Sequence, residues 1–287
     1  MTARWSAVVL SQGNRPAELA AAVDSLLSQT DASLEVIVVG NGWEPSGLPQ
    51  DVRTVHVPEN VGAPGGRNKG IEAARGELFY FLDDDAVLPE ADTLARVERL
   101  FGEHPALGVI QTRIEAPDGG TLSRWVPRLR NKDPLHGSPV FSVLEGSVAV
   151  RREVLRRTDN WPGRFFYAHE GIELAWRAWD AGYAVEYRPE LRAVHPAFAR
   201  SRHPDHMWQD ARNRVWLAKR NLPCPIAVAY VINWAAVTTL KNLRLPSHVA
   251  AWFRGAWSGV RTDAGERRSM RWRTVWLMTT KGRPPII

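Results

Sequence analysis

Apolar positions in the first third of the chain fall into two alternating rhythms. Residues 7–10 read as a strand, and residues 15–28 then carry Leu19, Val23, Leu26 and Leu27 at helical spacing. Residues 35–39 form a second strand, apolar enough to be buried on both faces of a sheet. Together these segments make a βαβ unit. Residues 54–57 follow as a third strand, 66–75 as a helix, 78–82 as a fourth strand and 92–101 as another helix. Such alternation predicts an α/β fold, Rossmann-like, with a mostly parallel sheet and flanking helices.

The pattern then loosens. Residues 115–139 are rich in Gly, Pro and Arg without a period and read as a long surface loop. Residues 140–150 look extended, 170–181 helical, and 184–187 form a late strand ahead of His195. Beyond residue 200 the composition changes: Trp208, Trp216, Trp234, Trp252, Trp257, Trp272 and Trp276 are interleaved with arginines, and a C-terminal helical region is expected. Its most apolar stretch, residues 226–240, is shorter than the roughly 20 residues a membrane span needs. A buried core helix or an interfacial helix is expected there instead.

Charge sharpens this division. The chain totals +6, yet ten cations and only two carboxylates lie from Lys241 onward, so the tail carries +8 and the remainder −2. A basic tail behind a near-neutral body fits attraction to an anionic membrane surface. Nucleic acid is not expected as a partner, because no recognisable binding module accompanies the charge. The single cysteine, Cys224, offers neither a disulfide framework nor a Cys-based metal site, and without a basic, apolar, small-residue run ahead of residue 7 no secretory leader is expected. The expected setting is cytoplasmic, with the inner face of the membrane as a peripheral seat.

Chemistry concentrates where the fourth strand ends. Asp83, Asp84 and Asp85 follow the apolar run of residues 78–82, and ligands of open α/β sheets bind at the carboxyl ends of strands. Crowded carboxylates call for a compensating cation, and a hard divalent ion, Mn²⁺ or Mg²⁺, bridging to a diphosphate would supply it. A solvated acidic turn is the plain alternative. The Gly-rich segment 60–68 lets backbone approach a ligand, and Arg67 and Asn68 open a predicted helix whose N-terminus favours anions. A capped Gly-rich turn is the alternative here.

The series 9–14, 36–42, then Asn60, Gly62, Gly66, Arg67, Asn68 and Gly70, then 82–85, resembles the nucleotide-binding half of family 2 glycosyltransferases. The resemblance implies a GT-A fold over residues 1–200, with a nucleotide-sugar half (1–100) and an acceptor-side half (101–200), followed by the helical region 201–287. It implies Asp85 as metal ligand and Asp83 as ribose contact, with Asp84 between them. Ser11, Asn14, Asn41, Asn60, Gly66, Arg67 and Asn68 would join Asp83 and Asp84 in donor binding. Gly40, Asn41 and Gly42 stand where the family often places a base-reading aspartate, which leaves the donor open.

Residues 165–177 with Ala181, Gly182 and Tyr183 resemble the family's second acidic motif, usually a Glu-Asp pair heading a helix. Glu170 is the first candidate for the base that takes the acceptor proton. Gly171 breaks the pair, so Glu173 is its rival, and either carboxylate could instead serve the helix dipole. His195 resembles the family's late histidine and is a second candidate metal ligand. His169, beside Glu170, is a further pocket candidate. The implied activity is inverting transfer of a sugar from a nucleotide diphosphate to a hydroxyl of a glycan, lipid-linked or small-molecule acceptor, as in cell-envelope or other glycoconjugate synthesis. Two alternatives stand beside it: a sugar-phosphate nucleotidyltransferase, and a non-catalytic membrane-associated scaffold of the same fold.

Overall fold

The structure, a computed structural model, describes residues 4–128, 132–197 and 205–286. Its centre is an eight-stranded sheet. In chain order the strands are β1 (Trp5–Ser11), β2 (Leu34–Asn41), β3 (Val52–Val57), β4 (Leu78–Asp83), β5 (Leu107–Glu115), β6 (Ser138–Pro139), β7 (Ser147–Arg151) and β8 (Ala184–Val194). They lie side by side as β3-β2-β1-β4-β7-β5-β8-β6. β1 to β4 are parallel, β7 runs antiparallel between β4 and β5, and β8 is again parallel to β5.

The flanking helices are α1 (Pro16–Leu27), α2 (Gly62–Ala73), α3 (Thr93–Glu103), α4 (Arg152–Thr158) and α5 (Glu170–Asp180), followed by α6 (His206–Asn221), α7 (Cys224–Lys241), α8 (Pro246–Arg261) and α9 (Trp272–Thr280). Alternate side chains of a strand point to opposite faces, and the cores follow that rule. Trp5, Ala7 and Val9 pack with Leu19, Val23 and Val97 on one face, while Val8, Phe79 and Phe81 pack with Ile71, Val154 and Leu174 on the other. A third core joins Phe141, Phe165 and Trp176 to Trp216, Tyr230 and Met278, binding the C-terminal helices to the sheet domain.

Three features depart from the sequence pattern. β5 was hidden by Gln111 and Thr112, which are buried but satisfied: the Thr112 hydroxyl bonds Ser147 Oγ at 2.7 Å, and Gln111 donates to the Ser147 carbonyl. Tyr80 joins the same Ser147 hydroxyl at 2.7 Å, and burial pushes its phenol up to about 12. Of residues 140–150, only β7 is strand; the portion before it crosses the sheet end as a loop. α7 is not a core helix, since Tyr230 and Thr238 are its only buried residues.

Candidate active site

β1, β2 and β4 end together. Their parallel registers set Ser11 beside Gly40 and Leu10 beside Asp83, so Ser11, Asn41 and Asp83 emerge at one edge. A cleft of about 750 Å³ opens there. Ser11, Asn14, Asn41, Asn60 and Arg67 line it, as do Asp83, Asp84, Asp85, Glu170 and His195.

The three aspartates face different partners. Asp84 turns inward, accepting from the Ser11 hydroxyl at 2.7 Å and from the Arg15 guanidinium at 2.5 Å. Burial raises its carboxyl above the ordinary value, against the pull of Ser11 and Arg15. Asp85 pairs with Arg15 through Oδ2 and turns Oδ1 to His195 Nε2 at 3.1 Å. Asp83 accepts from Arg67 at 3.0 Å, with His195 Nε2 at 3.9 Å. Ligand atoms of Asp83, Asp85 and His195 all lie within 4.8 Å of one another.

This donor set fits a divalent cation. His195 Nδ1 lies 2.7 Å from the carbonyl oxygen of Pro196, which can only accept, so the proton of the neutral ring is assigned to Nδ1. Nε2 then presents a lone pair toward the Asp85 carboxylate. Two acceptors at that distance need a cation or an added proton between them. His195 is held by its backbone N–H, which donates to the Glu115 carbonyl at 2.9 Å, and by the edge of the Trp125 ring at 5.9 Å between centroids.

Across the cleft, Arg67 stacks on Trp161 at 5.5 Å and stands between Asp83 and Glu170, whose Oε1 is 3.8 Å away. Glu170 is 4% exposed, and its Oε2 has no hydrogen-bond partner among the described residues. Burial, reinforced by the charge of Glu145, pushes Glu170 up to about 8.

Glu145 was not legible in the sequence. It lines the cleft and accepts from the Gly171 N–H at 2.6 Å. A Cβ at Gly171 would lie 2.2 Å from the Val143 carbonyl oxygen and 2.4 Å from Glu145 Oε1. No acid can stand at 171; Glu145 brings a carboxylate to the same spot from another segment. The broken Glu-Asp pair was the one signal for it. Trp125, Phe166 and Tyr167 also line the cleft, and Trp125 belongs to the segment read as surface loop, where a short 3₁₀ turn buries it.

Several expected site residues have other employment. Glu173 is 1% exposed and does not line the cleft: Arg220 and Asn221 donate to it at 2.7 and 3.0 Å, and Arg177 pairs with it at 3.0 Å. Asn68 exchanges hydrogen bonds with the backbone of Trp161 at 2.8 and 3.0 Å. Gly66 lets α2 approach β1, since a Cβ there would lie 2.3 Å from Leu10 Cδ1. His169 bonds Asp210 at 3.0 Å, and burial lowers its imidazole below the usual value, so it is a neutral link between α5 and α6.

The expected anion cradle at Arg67 and Asn68 is also corrected. α2 begins four residues earlier, at Gly62, and its first N–H groups are already capped. Val61 donates to Asn41 Oδ1, Gly62 to Asn60 Oδ1 and Ala63 to the Phe166 carbonyl, each at 2.9 Å. The Asn41 amide N–H groups go to Asn60 Oδ1 and the Gly62 carbonyl. Asn41 and Asn60 thus lock the loop that forms the cleft floor.

Residues 8–168, more than half of the chain, match the family described as Glycosyl transferase family 2, and the chain belongs to that family. It is 31% identical over 115 residues to the PGL/p-HBAD biosynthesis glycosyltransferase of Mycobacterium bovis (strain BCG / Pasteur 1173P2), covering 36% of this chain and 44% of that protein. The match therefore spans less than half the length of the mycobacterial relative. Glycosyltransferase AglE of Haloferax volcanii is 25% identical over 213 residues, 68% of each chain. Among solved structures, S. aureus TarS 1-349 in complex with UDP-GlcNAc superposes with a TM-score of 0.65 at 15% identity, over 96% of this chain and 83% of that one. Mannosyltransferase PcManGT from Pyrobaculum calidifontis, in complex with GDP-Man and Mn²⁺, gives 0.58 at 19% identity, over 98% and 79%. The fold is GT-A.

Proposed function

We propose that this chain transfers a sugar from a nucleotide diphosphate to an acceptor hydroxyl with inversion, using a divalent metal. The observation that carries the reading is the convergence of Asp83, Asp85 and His195 on one side of Arg67 with Glu170 and Glu145 on the other. Asp85 and His195 would hold the ion with Asp83 beside them, and Mn²⁺ or Mg²⁺ would neutralise the departing diphosphate. Ser11 and Arg15 fix the aspartates from behind through Asp84 and Asp85. Asn14 is available to the donor at the cleft wall. Glu170, once ionised, takes the proton of the acceptor hydroxyl as its oxygen attacks the anomeric carbon, because a neutral alcohol is a weak nucleophile. Glu145 takes the place of the acid missing at 171 and, by its charge, sets how readily Glu170 gives and takes that proton. Base and leaving group on opposite walls support single displacement. UDP-GlcNAc and GDP-Man in the solved relatives support the donor class.

A panel of nucleotide sugars incubated with the full chain and Mn²⁺, without acceptor, tests this reading by slow hydrolysis. One or two donors should be turned over in a metal-dependent way. If none is hydrolysed and none binds, the proposal fails.

A further inference from the structure

We infer that the hairpin formed by α7 and α8 docks on an anionic membrane surface. Val228, Ile232, Ala236 and Leu240 of α7 are exposed at intervals of four and form one apolar stripe. The connector adds Leu243 and Leu245, and α8 presents Phe253, Trp257 and Val260 at helical spacing. Ile232 is 64%, Leu240 69% and Trp257 59% exposed. A contiguous run of large apolar side chains in water marks an interaction surface.

The charge around the stripe selects the partner. From residue 211 to 262 the sequence contains no Asp or Glu, while Lys241, Arg244, Arg254 and Arg261 are all exposed beside the apolar residues. A second copy of this chain would bring the same cations face to face across a self-complementary interface and be repelled. Anionic lipid satisfies both features, since rings and aliphatic groups enter the headgroup boundary while lysines and arginines meet its charge.

The hairpin lies on a membrane rather than crossing it. α7 has the length and composition to span, but its inner face is attached to the body. The Tyr230 hydroxyl accepts from Arg214 at 3.0 Å, and Asn233 donates to the Ile286 carbonyl at 2.7 Å. α8 is fixed to α6 equally closely: a Cβ at Gly255 would lie 2.1 Å from the Trp208 carbonyl oxygen, and the Trp252 indole donates to Asp210 at 3.1 Å. α6 in turn holds the acceptor wall, because the Asn213 amide donates to the carbonyls of Phe165, Tyr167 and Ala168. A bilayer under the hairpin therefore has a short rigid path to the cleft, which favours a lipid-linked acceptor; that last step rests on the transferase reading, whereas the docking does not.

The test is co-sedimentation of the full chain with phosphatidylcholine vesicles, with and without phosphatidylglycerol, and no sugar donor. Pelleting with the anionic vesicles is expected. Lys241→Ala and Arg254→Ala should each lower the partition coefficient about fivefold at low salt. Phe253→Ser with Trp257→Ser should abolish the part that survives high salt, with circular dichroism unchanged. Pelleting no greater than without vesicles would overturn the inference, as would a stable dimer by light scattering that Trp257→Ser disperses. Donor hydrolysis measured without vesicles reports separately on the transferase reading.

Discussion

Among single residues, Glu170 carries the sharpest expectations. Glu170→Gln should keep donor affinity and lower turnover by about 10² or more, the usual scale for a lost general base. Because burial and Glu145 hold its proton up to about 8, native turnover should climb as pH rises toward that value, and the variant should lose the limb. A folded-state value above the ordinary 4.5 means that the contribution of protonated Glu170 to stability is complete below 4.5 and is lost as pH rises to about 8. The Gln variant should therefore melt higher than native protein at about pH 9, and a lower melting temperature there would contradict the burial argument. Glu173→Gln separates the two glutamates: breaking the bonds to Arg220 and Asn221 should cost about 3–5 kcal/mol in denaturant unfolding without changing donor affinity. A catalytic defect in a fully stable Glu173→Gln protein would place the base one helical turn further on.

Elements were legible where their burial is simple. β1, β2 and β4 are sandwiched between helices, so each carries a continuous apolar run that betrays both strand and fold. β5 is as deeply buried, but its Gln111 and Thr112 hydrogen-bond Ser147 of β7 inside, and apolarity alone does not find it; β7 was read within the extended stretch 140–150, without its true start. Nor does a strand's sequence state its direction, so the antiparallel entry of β7 was not predictable. At the cleft, the aspartates and His195 were readable because they follow recognisable strands, whereas Glu145 and Trp125 sit in irregular segments. The loop before α5 is the extreme case: Phe166, Ala168 and His169 all have positive φ, a conformation their side chains disfavour and their sequence does not announce. It is imposed from outside by Asn213, whose amide donates to three of its carbonyls. Asn213→Ala leaves those carbonyls short of donors and should cost about 1–3 kcal/mol of stability. It should also raise the acceptor KM while donor affinity stays the same, and equal losses of donor and acceptor binding would show that the loop does not belong to the acceptor side.

For the whole molecule, the cleft is where parts of the chain distant in sequence are pinned together. β1 brings Ser11, β4 the three aspartates, the end of β8 His195, and α5 Glu170. In the unfolded chain these groups are far apart, so a metal and a nucleoside diphosphate held jointly by Ser11, the aspartates and His195 would bind the folded state alone. Such a ligand stabilises by about 2.7 kcal/mol at a hundred times its Kd. For a chain somewhat longer than 250 residues, about 2–4 °C per kcal/mol is an upper guide, which converts this to a rise of about 5–10 °C in melting temperature. Mn²⁺ with UDP or GDP should give the full shift, and the nucleotide with chelator much less, because the carboxylates of Asp83 and Asp85 then face the diphosphate without a cation between them. Asp85→Ala leaves Arg15 paired with Asp84 and His195 bonded to the Pro196 and Glu115 carbonyls, so the fold should hold while the Mn²⁺-dependent part of the shift disappears. Calorimetric titration of the same variant separates binding from stability. If Asp85→Ala binds Mn²⁺ and nucleotide with native affinity, the metal does not sit at this cluster, and Asp85 serves only to hold Arg15 and His195 in place.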